Sequence, residues 1–204
     1  MKRIFLLAAA LCCISLYSCD NEQDLDNLSP IELEILELDN LIASQSGFDE
    51  EALIADLKRG VMEASSTYEY YNDGTVDQCS IVGAHYAGQT VVFFEDDTCW
   101  DCFSYWYSSS SSTPLDEPVH VQYTWRYDPE TQSLVTEDRY NNIGDSVAKI
   151  VYYNAENHRL IIEGNIFGFI SPKWDIEKMR MSCLIDVDPA KRASVIEEYS
   201  SEPY

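Results

Sequence analysis

Residues 119–127 read Val-His-Val-Gln-Tyr-Thr-Trp-Arg-Tyr, apolar or aromatic at every odd position and polar at every even one. A strict period of two belongs to an extended strand with one buried face and one wet face. It directs Tyr123, Trp125 and Tyr127 inward with Val119 and Val121, and turns His120, Gln122, Thr124 and Arg126 toward solvent. Asp128-Pro129-Glu130-Thr131 then reads as a turn. The alternation returns at 178–187, where Met179, Met181, Cys183, Ile185 and Val187 share a face. Weaker versions predict strands near 62–72, 75–83, 89–95, 98–107, 133–138, 146–153 and 159–166. Asn72-Asp73-Gly74 is a hairpin signal between the first two. Short strands in succession, joined mostly by brief turns, predict a mainly β chain. The expected fold is an antiparallel meander of about eight or nine strands, closed as a barrel or folded as a sandwich.

Helix signals flank this region. Ser29-Pro30-Ile31-Glu32 has the spacing of a capping box with Pro at the first helical position. Apolar residues then recur at helical spacing to about Ala43. A second helix is expected over 49–59, with Asp49, Glu50 and Glu51 in its first turn, Lys58 and Arg59 in its last, and Gly60 as its stop. Asp188-Pro189 opens a short C-terminal helix to about Ser200. The serine run at 108–112 is expected to form a flexible loop at a hairpin tip.

At the other end, Lys2 and Arg3 precede an apolar stretch over 4–16, too short to span a bilayer comfortably and of signal-peptide type. Leu16-Tyr17-Ser18-Cys19 follows. It resembles the lipobox of bacterial lipoproteins: an apolar residue, a tolerant position, a small residue and an obligatory cysteine. The resemblance implies diacylglyceryl transfer to the Cys19 thiol, cleavage before it and acylation of the new amino terminus. Cys12 and Cys13 would leave with the leader, and several acyl chains would form a stable membrane anchor. The stretch after Cys19 is polar and acidic, as a solvated tether should be. It resembles a surface-export signal of some Gram-negative groups. The expected location is therefore the outer membrane facing outward, with the periplasmic face as second choice. The implied organisation is a leader over 1–18, a tether over 19–28, a helical segment over 29–60 and a β domain with its C-terminal helix over 61–204.

Thirty-six acidic residues oppose 13 basic ones. Loss of Lys2 and Arg3 with the leader would move the formal net charge from −23 to −25. Such a surface repels nucleic acid and anionic headgroups. Solubility explains it more simply than a cationic ligand or a divalent metal, because no loop follows a calcium-binding pattern.

The order of features resembles the lipocalin-like domains of bacterial surface lipoproteins, in which a helix leads into a meander of aromatic-rich strands. Leu57-Lys58-Arg59-Gly60-Val61-Met62 stands at the entry, with Met62 where that family prefers Trp. YTWRYDPETQSLVTED at 123–138 and AKIVYYNAENHRLIIEG at 148–164 look like its late strand pairs. The likeness covers roughly 57–166 and implies a barrel able to hold a small apolar ligand.

Cys99-Trp100-Asp101-Cys102 is the one pattern that invites a redox reading. A redox site would place it at a helix N-terminus in a βαβ setting, and here the neighbours alternate as a strand. In a regular strand positions i and i+3 face opposite ways, with Cα atoms roughly 10 Å apart at about 3.3 Å per residue. A disulfide needs about 7 Å or less. Either the motif bends into a turn or each cysteine has another partner. Cys79, Cys99, Cys102 and Cys183 are the candidate disulfide cysteines of an exported protein. A four-thiolate zinc site is much the weaker alternative, and no other metal or cofactor is expected.

His85, His120 and His158 are scattered, no Gly-x-Ser-x-Gly elbow is present, and no carboxylate pair is singled out by spacing. The aromatic residues carry more information: Tyr123, Trp125, Tyr127, Trp106 and Tyr152 are the candidates for core or ligand cavity. The leading expectation is a non-catalytic, lipid-anchored binding or accessory module for a small apolar or aromatic ligand. The second is a structural lipoprotein with a filled barrel that contacts an envelope protein, and the third a hydrolase of envelope substrates.

Overall fold

In the computed structural model the described residues are 27–78, 89–108, 111–138, 144–165 and 175–200, with backbone alone at 104–108, 111–117, 138 and 144. The chain divides into a unit ending at Leu41 and a larger unit from Ile42 onward. Helix α1 (Pro30–Ser44) opens with both arms of the expected capping box. Ser29 N–H donates to Glu32 Oε2 at 2.7 Å, and Glu32 N–H donates to Ser29 Oγ at 3.3 Å. These bonds hold the Glu32 carboxyl below its ordinary range.

The larger unit is a closed antiparallel barrel. Its strands are β1 (Val61–Tyr71), β2 (Val76–Gln78), β3 (Thr90–Phe93), β4 (Thr98–Ser108), β5 (Ser111–Asp128), β6 (Ser133–Asp138), β7 (Gly144–Asn154), β8 (Arg159–Gly164) and β9 (Ile176–Asp186). From β3 to β9 each strand pairs with the next in sequence. β1 closes the ring, pairing with β3 on one edge and with β9 on the other, from Val61↔Asp186 to Tyr71↔Ile176. β2 is an extra strand, folded back beside the far half of β1 through the Asn72-Asp73-Gly74 turn. Closure gives each of the eight ring strands a paired neighbour on both sides, the arrangement that best protects a long meander from association.

At one end of the barrel the turns are tight and built alike. Asp96, Asp128 and Asn154 each use a side-chain oxygen to bind backbone N–H groups two or three residues on. Each turn then passes through a residue of positive φ: Asp97, Gln132 and His158. Helix α2 (Glu50–Arg59) plugs this same end. Asp49 caps it by accepting from Ala52 N–H at 3.0 Å, and Leu53 and Leu57 enter the barrel core. The chain leaves α2 and enters β1 at Gly60 with no room for a side chain. A Cβ there would stand 2.6 Å from Ile185 Cγ2, 2.8 Å from Asp56 O and 2.9 Å from Asp186 O.

Helix α3 (Pro189–Glu198) packs on the outside of the barrel. Its Val195 joins Val61, Val92 and Cys102, flanked by Phe94, Trp100, Ile196 and Tyr199. Arg192 ties it down through Nη2–H to Phe93 O at 2.6 Å and through Nη1–H to Gly60 O. This helix corrects one expectation. His120 faces outward as its strand phase requires, yet it is 3 % exposed. Its ring stacks on Trp100 at 4.0 Å, and Nδ1–H donates to Tyr199 O at 2.6 Å. Strand alternation identifies the outer face, and only the later helix decides whether that face is wet.

A second correction comes from a register shift. β7 and β8 slip between Ile150 and Tyr152, so Ile150 pairs with Ile162 and Tyr153 with Leu160. The extra residue inverts the alternation. Tyr153 therefore enters the barrel's core cluster, while Tyr152 is buried with its pairing partner Ile161 on the opposite face. The serine run lies at the expected hairpin tip, closed by Ser108↔Ser111, but more of it is strand than expected. Ser111, Ser112, Thr113 and Pro114 continue the β5 ladder against β4, as backbone pairing requires no apolar side chains.

Candidate functional site

Two layers can be distinguished along the inner wall. The inward residue nearest α2 on each ring strand is apolar or aromatic: Met62, Phe93, Cys99, Tyr127, Leu134, Tyr153, Leu160 and Ile185. Together with Leu53 and Leu57 they fill that end. Trp125 follows as the next inward residue of β5. Its ring meets Phe93 edge-on at 4.7 Å, and its indole N–H approaches Phe94 O at 3.4 Å.

Beyond this layer polar residues share the inner face. Thr67 and Glu69 pair with the core residues Met181 and Met179, Thr136 with Trp125, and Ser146 with Thr136. Asp101 stands in the ladder between Val91 and Val121. Residues paired across an antiparallel ladder share a face, so all of these point inward. Some are satisfied. Tyr71 O–H donates to Glu69 Oε2 at 2.7 Å, and Ser146 O–H donates to Asn165 O at 3.0 Å. Others are not. Thr67 Oγ1, Gln89 Oε1, Asp101 Oδ2 and Thr136 Oγ1 are buried with no hydrogen-bond partner among the described residues.

Asp101 is the sharpest of these groups. It is 2 % exposed, and among the described residues its side chain accepts one bond, from Gln89 Nε2–H to Oδ1 at 2.8 Å. Burial between two valines pushes its carboxyl up to about 7, against a smaller pull downward from Gln89. A native interior leaves few polar groups unpaired, and each exception asks for an explanation. Asp101 and Gln89, in contact with each other, with Thr67 and Thr136 elsewhere on the inner wall, define the candidate site.

A second polar cluster locks the plug. Asp56 on α2 is 3 % exposed. Its Oδ2 accepts from Tyr153 O–H at 2.5 Å and from His158 Nδ1–H at 2.6 Å, and Oδ1 pairs with the Arg59 guanidinium. Burial pushes this carboxyl up, and the two hydrogen bonds with the Arg59 charge outweigh it, leaving Asp56 below its ordinary range. Tyr153 is driven the other way, by burial and by Asp56. An Asp-His pair resembles part of a catalytic relay. Here both carboxylate oxygens are occupied by protein donors that join α2 to the β7–β8 turn, which is the geometry of a lock.

Among the residues expected from the sequence, Tyr123 and Trp125 lie inward at 0 % and 4 % exposure. Tyr127 is half-buried against the same core, its hydroxyl pushed up to about 12 by burial and the nearby Glu50. Trp106 pairs with Thr113 in the β4–β5 ladder, and its side chain lies outside the described residues, as do Cys19 and Cys79. Cys99 points inward and Cys102 outward, on opposite faces of β4, while Cys183 is inward on β9. No disulfide joins any two of these three. Burial drives the Cys102 and Cys183 thiols well above their ordinary value, the reverse of a reactive thiolate. Among the described residues no group of three or more His, Cys, Asp or Glu side chains could hold a metal ion.

Asp101 and Gln89 of the candidate site and Asp56 of the lock are the residues that sequence reasoning missed. Asp101 did carry a signal: an acid at the position between Cys99 and Phe103 on an otherwise apolar face. No protein-family model, curated protein or solved structure was found to match the chain.

Proposed function

We propose that this chain is a lipid-anchored protein of the bacterial envelope whose lipocalin-like barrel binds a small, largely apolar ligand without transforming it. The observation that carries the binding half of this reading is the set of buried, unpartnered polar atoms on the inner wall beyond the packed layer. Leaving such atoms buried and unpaired costs about 1–3 kcal/mol each. A barrel that served only as a filled scaffold would gain stability by replacing them with apolar residues. The anchoring half rests on Leu16-Tyr17-Ser18-Cys19 and the acidic stretch after it. Outward-facing attachment to the outer membrane is the location those residues support best.

The test is extraction of the mature protein, purified from membranes of its native host, followed by mass spectrometry of what it releases. The expected result is one class of small molecule at close to one equivalent per chain. Release of nothing beyond bulk phospholipid would favour a scaffold that contacts an envelope partner through its exterior.

A further inference from the structure

The two unpartnered atoms that meet at the Asp101–Gln89 contact are both acceptors. Gln89 directs an N–H at Asp101 Oδ1, and in its ionised form Asp101 can only accept. This orientation leaves Gln89 Oε1 and Asp101 Oδ2 with lone pairs and no donor among the described residues. Both side chains are buried, at 4 % and 2 % exposure. The hydroxyls of Thr67 and Thr136 can donate or accept, so they place no demand on the sign of a ligand. The carboxylate and the amide oxygen do. They ask for a group with several N–H donors and positive charge, and Val121 and Tyr123 of the core cluster make the surrounding inner wall apolar and aromatic.

We propose that the inner wall at Asp101 and Gln89 is the anchoring subsite for a small apolar ligand that carries a protonated amine. This rests on the reading of the barrel as a ligand-binding module and names the ligand's chemistry. A ligand carboxylate would meet a like charge at Asp101. A neutral alcohol has a single donor and would leave one acceptor unpaired. An ammonium satisfies both acceptors and balances the charge. Among the described residues, the other titratable groups on the inner wall include Glu69 of β1, which holds the Tyr71 hydroxyl, Tyr123 and Tyr127 of β5, Tyr153 of β7, and the thiols of Cys99 on β4 and Cys183 on β9. β6 and β7 contribute the neutral Thr136 and Ser146. Burial alone leaves Asp101 partly protonated near neutral pH. A cation beside it draws it to the carboxylate form, so binding expels a proton.

The experiment is calorimetry of the mature chain at pH 7 with 2-phenylethylamine and n-octylamine. Controls are 2-phenylethanol, 1-octanol and 3-phenylpropanoate, each run in buffers of different ionisation enthalpy. The amines should bind at least about tenfold tighter than the matched alcohols, with release of a fraction of a proton, and 3-phenylpropanoate should bind weakest. Asp101→Asn keeps the shape of the side chain, and it should abolish both the amine preference and the proton release. Wild-type protein that binds amine and alcohol alike, that binds neither amine, or that releases no proton overturns the proposal. So does an Asp101→Asn variant that keeps the preference. The ligand extracted from host membranes decides the broader binding reading separately.

Discussion

At the scale of single residues, Asp101 should leave a signature in the pH dependence of stability. Its carboxyl stands at about 7 in the folded chain against an ordinary value of 3.8. A raised folded value means that the native state holds the proton more tightly than the unfolded one. The contribution is therefore complete below about pH 4 and is lost as pH rises to about 7, with a slope of at most about 1.4 kcal/mol per pH unit. Asp101→Asn carries no titrating proton. Relative to wild type it should gain stability steadily from pH 4 to 7 and hold a constant advantage above. Urea unfolding of both proteins across pH 4–8 measures this. A difference between them that does not change with pH would show that the carboxyl is solvated. A residue that lowers stability at neutral pH where Asn would serve the fold better is what a ligand anchor looks like.

At the scale of elements, both helices of the larger unit act as covers. α2 closes one barrel end and is held by Asp56 to Tyr153 and His158; α3 seals the outer face of β1, β3 and β4. His120 belongs to this second seal. His120→Ala removes the stacking partner of Trp100 and the donor to Tyr199 O, and should cost about 1–3 kcal/mol rather than the few tenths of a surface change. Amide exchange over 189–198 should accelerate more than exchange over 50–59. Uniform acceleration of both helices, or none, would contradict the local role. The histidine also titrates in the opposite sense to Asp101. Burial lowers its folded value below 6.5, offset in part by the bond to Tyr199 O. Its contribution is present above about pH 6.5 and is lost as pH falls through the folded value.

At the scale of the whole molecule, the ring closes on itself and the chain is strongly acidic, and the lipid anchor proposed at Cys19 is open to a direct test. Cys19→Ala should block acylation and move the protein from the detergent phase to the aqueous phase in a partition assay. Unchanged partitioning would rule out the lipid anchor, leaving the barrel to be explained as a freely exported domain.

What the sequence determined by itself follows from local periodicity and local chemistry. The inner faces of β5 and β9, the capping box at Ser29, the Asp49 cap of α2, the Asn72-Asp73-Gly74 hairpin and the Asp128 turn all depend on residues within a few positions of each other. Each is legible because strand phase, cap and turn preferences act over that range. The antiparallel meander followed from counting these units. Only the tertiary structure decided the rest. The slip between Ile150 and Tyr152 turned Tyr153 rather than Tyr152 toward the barrel interior, and nothing within that strand announces it. Closure of the ring joins β1 to β9 across more than a hundred residues of chain. α3 and the residue that ends it made His120 a buried residue, through a contact 79 positions away in the chain. Asp101 was legible as an acid on an apolar face. That its second oxygen and the Gln89 carbonyl would be left without donors depends on what every other strand places beside them. Burial is a property of the assembled wall, which is why the candidate site emerged from the fold and not from a motif.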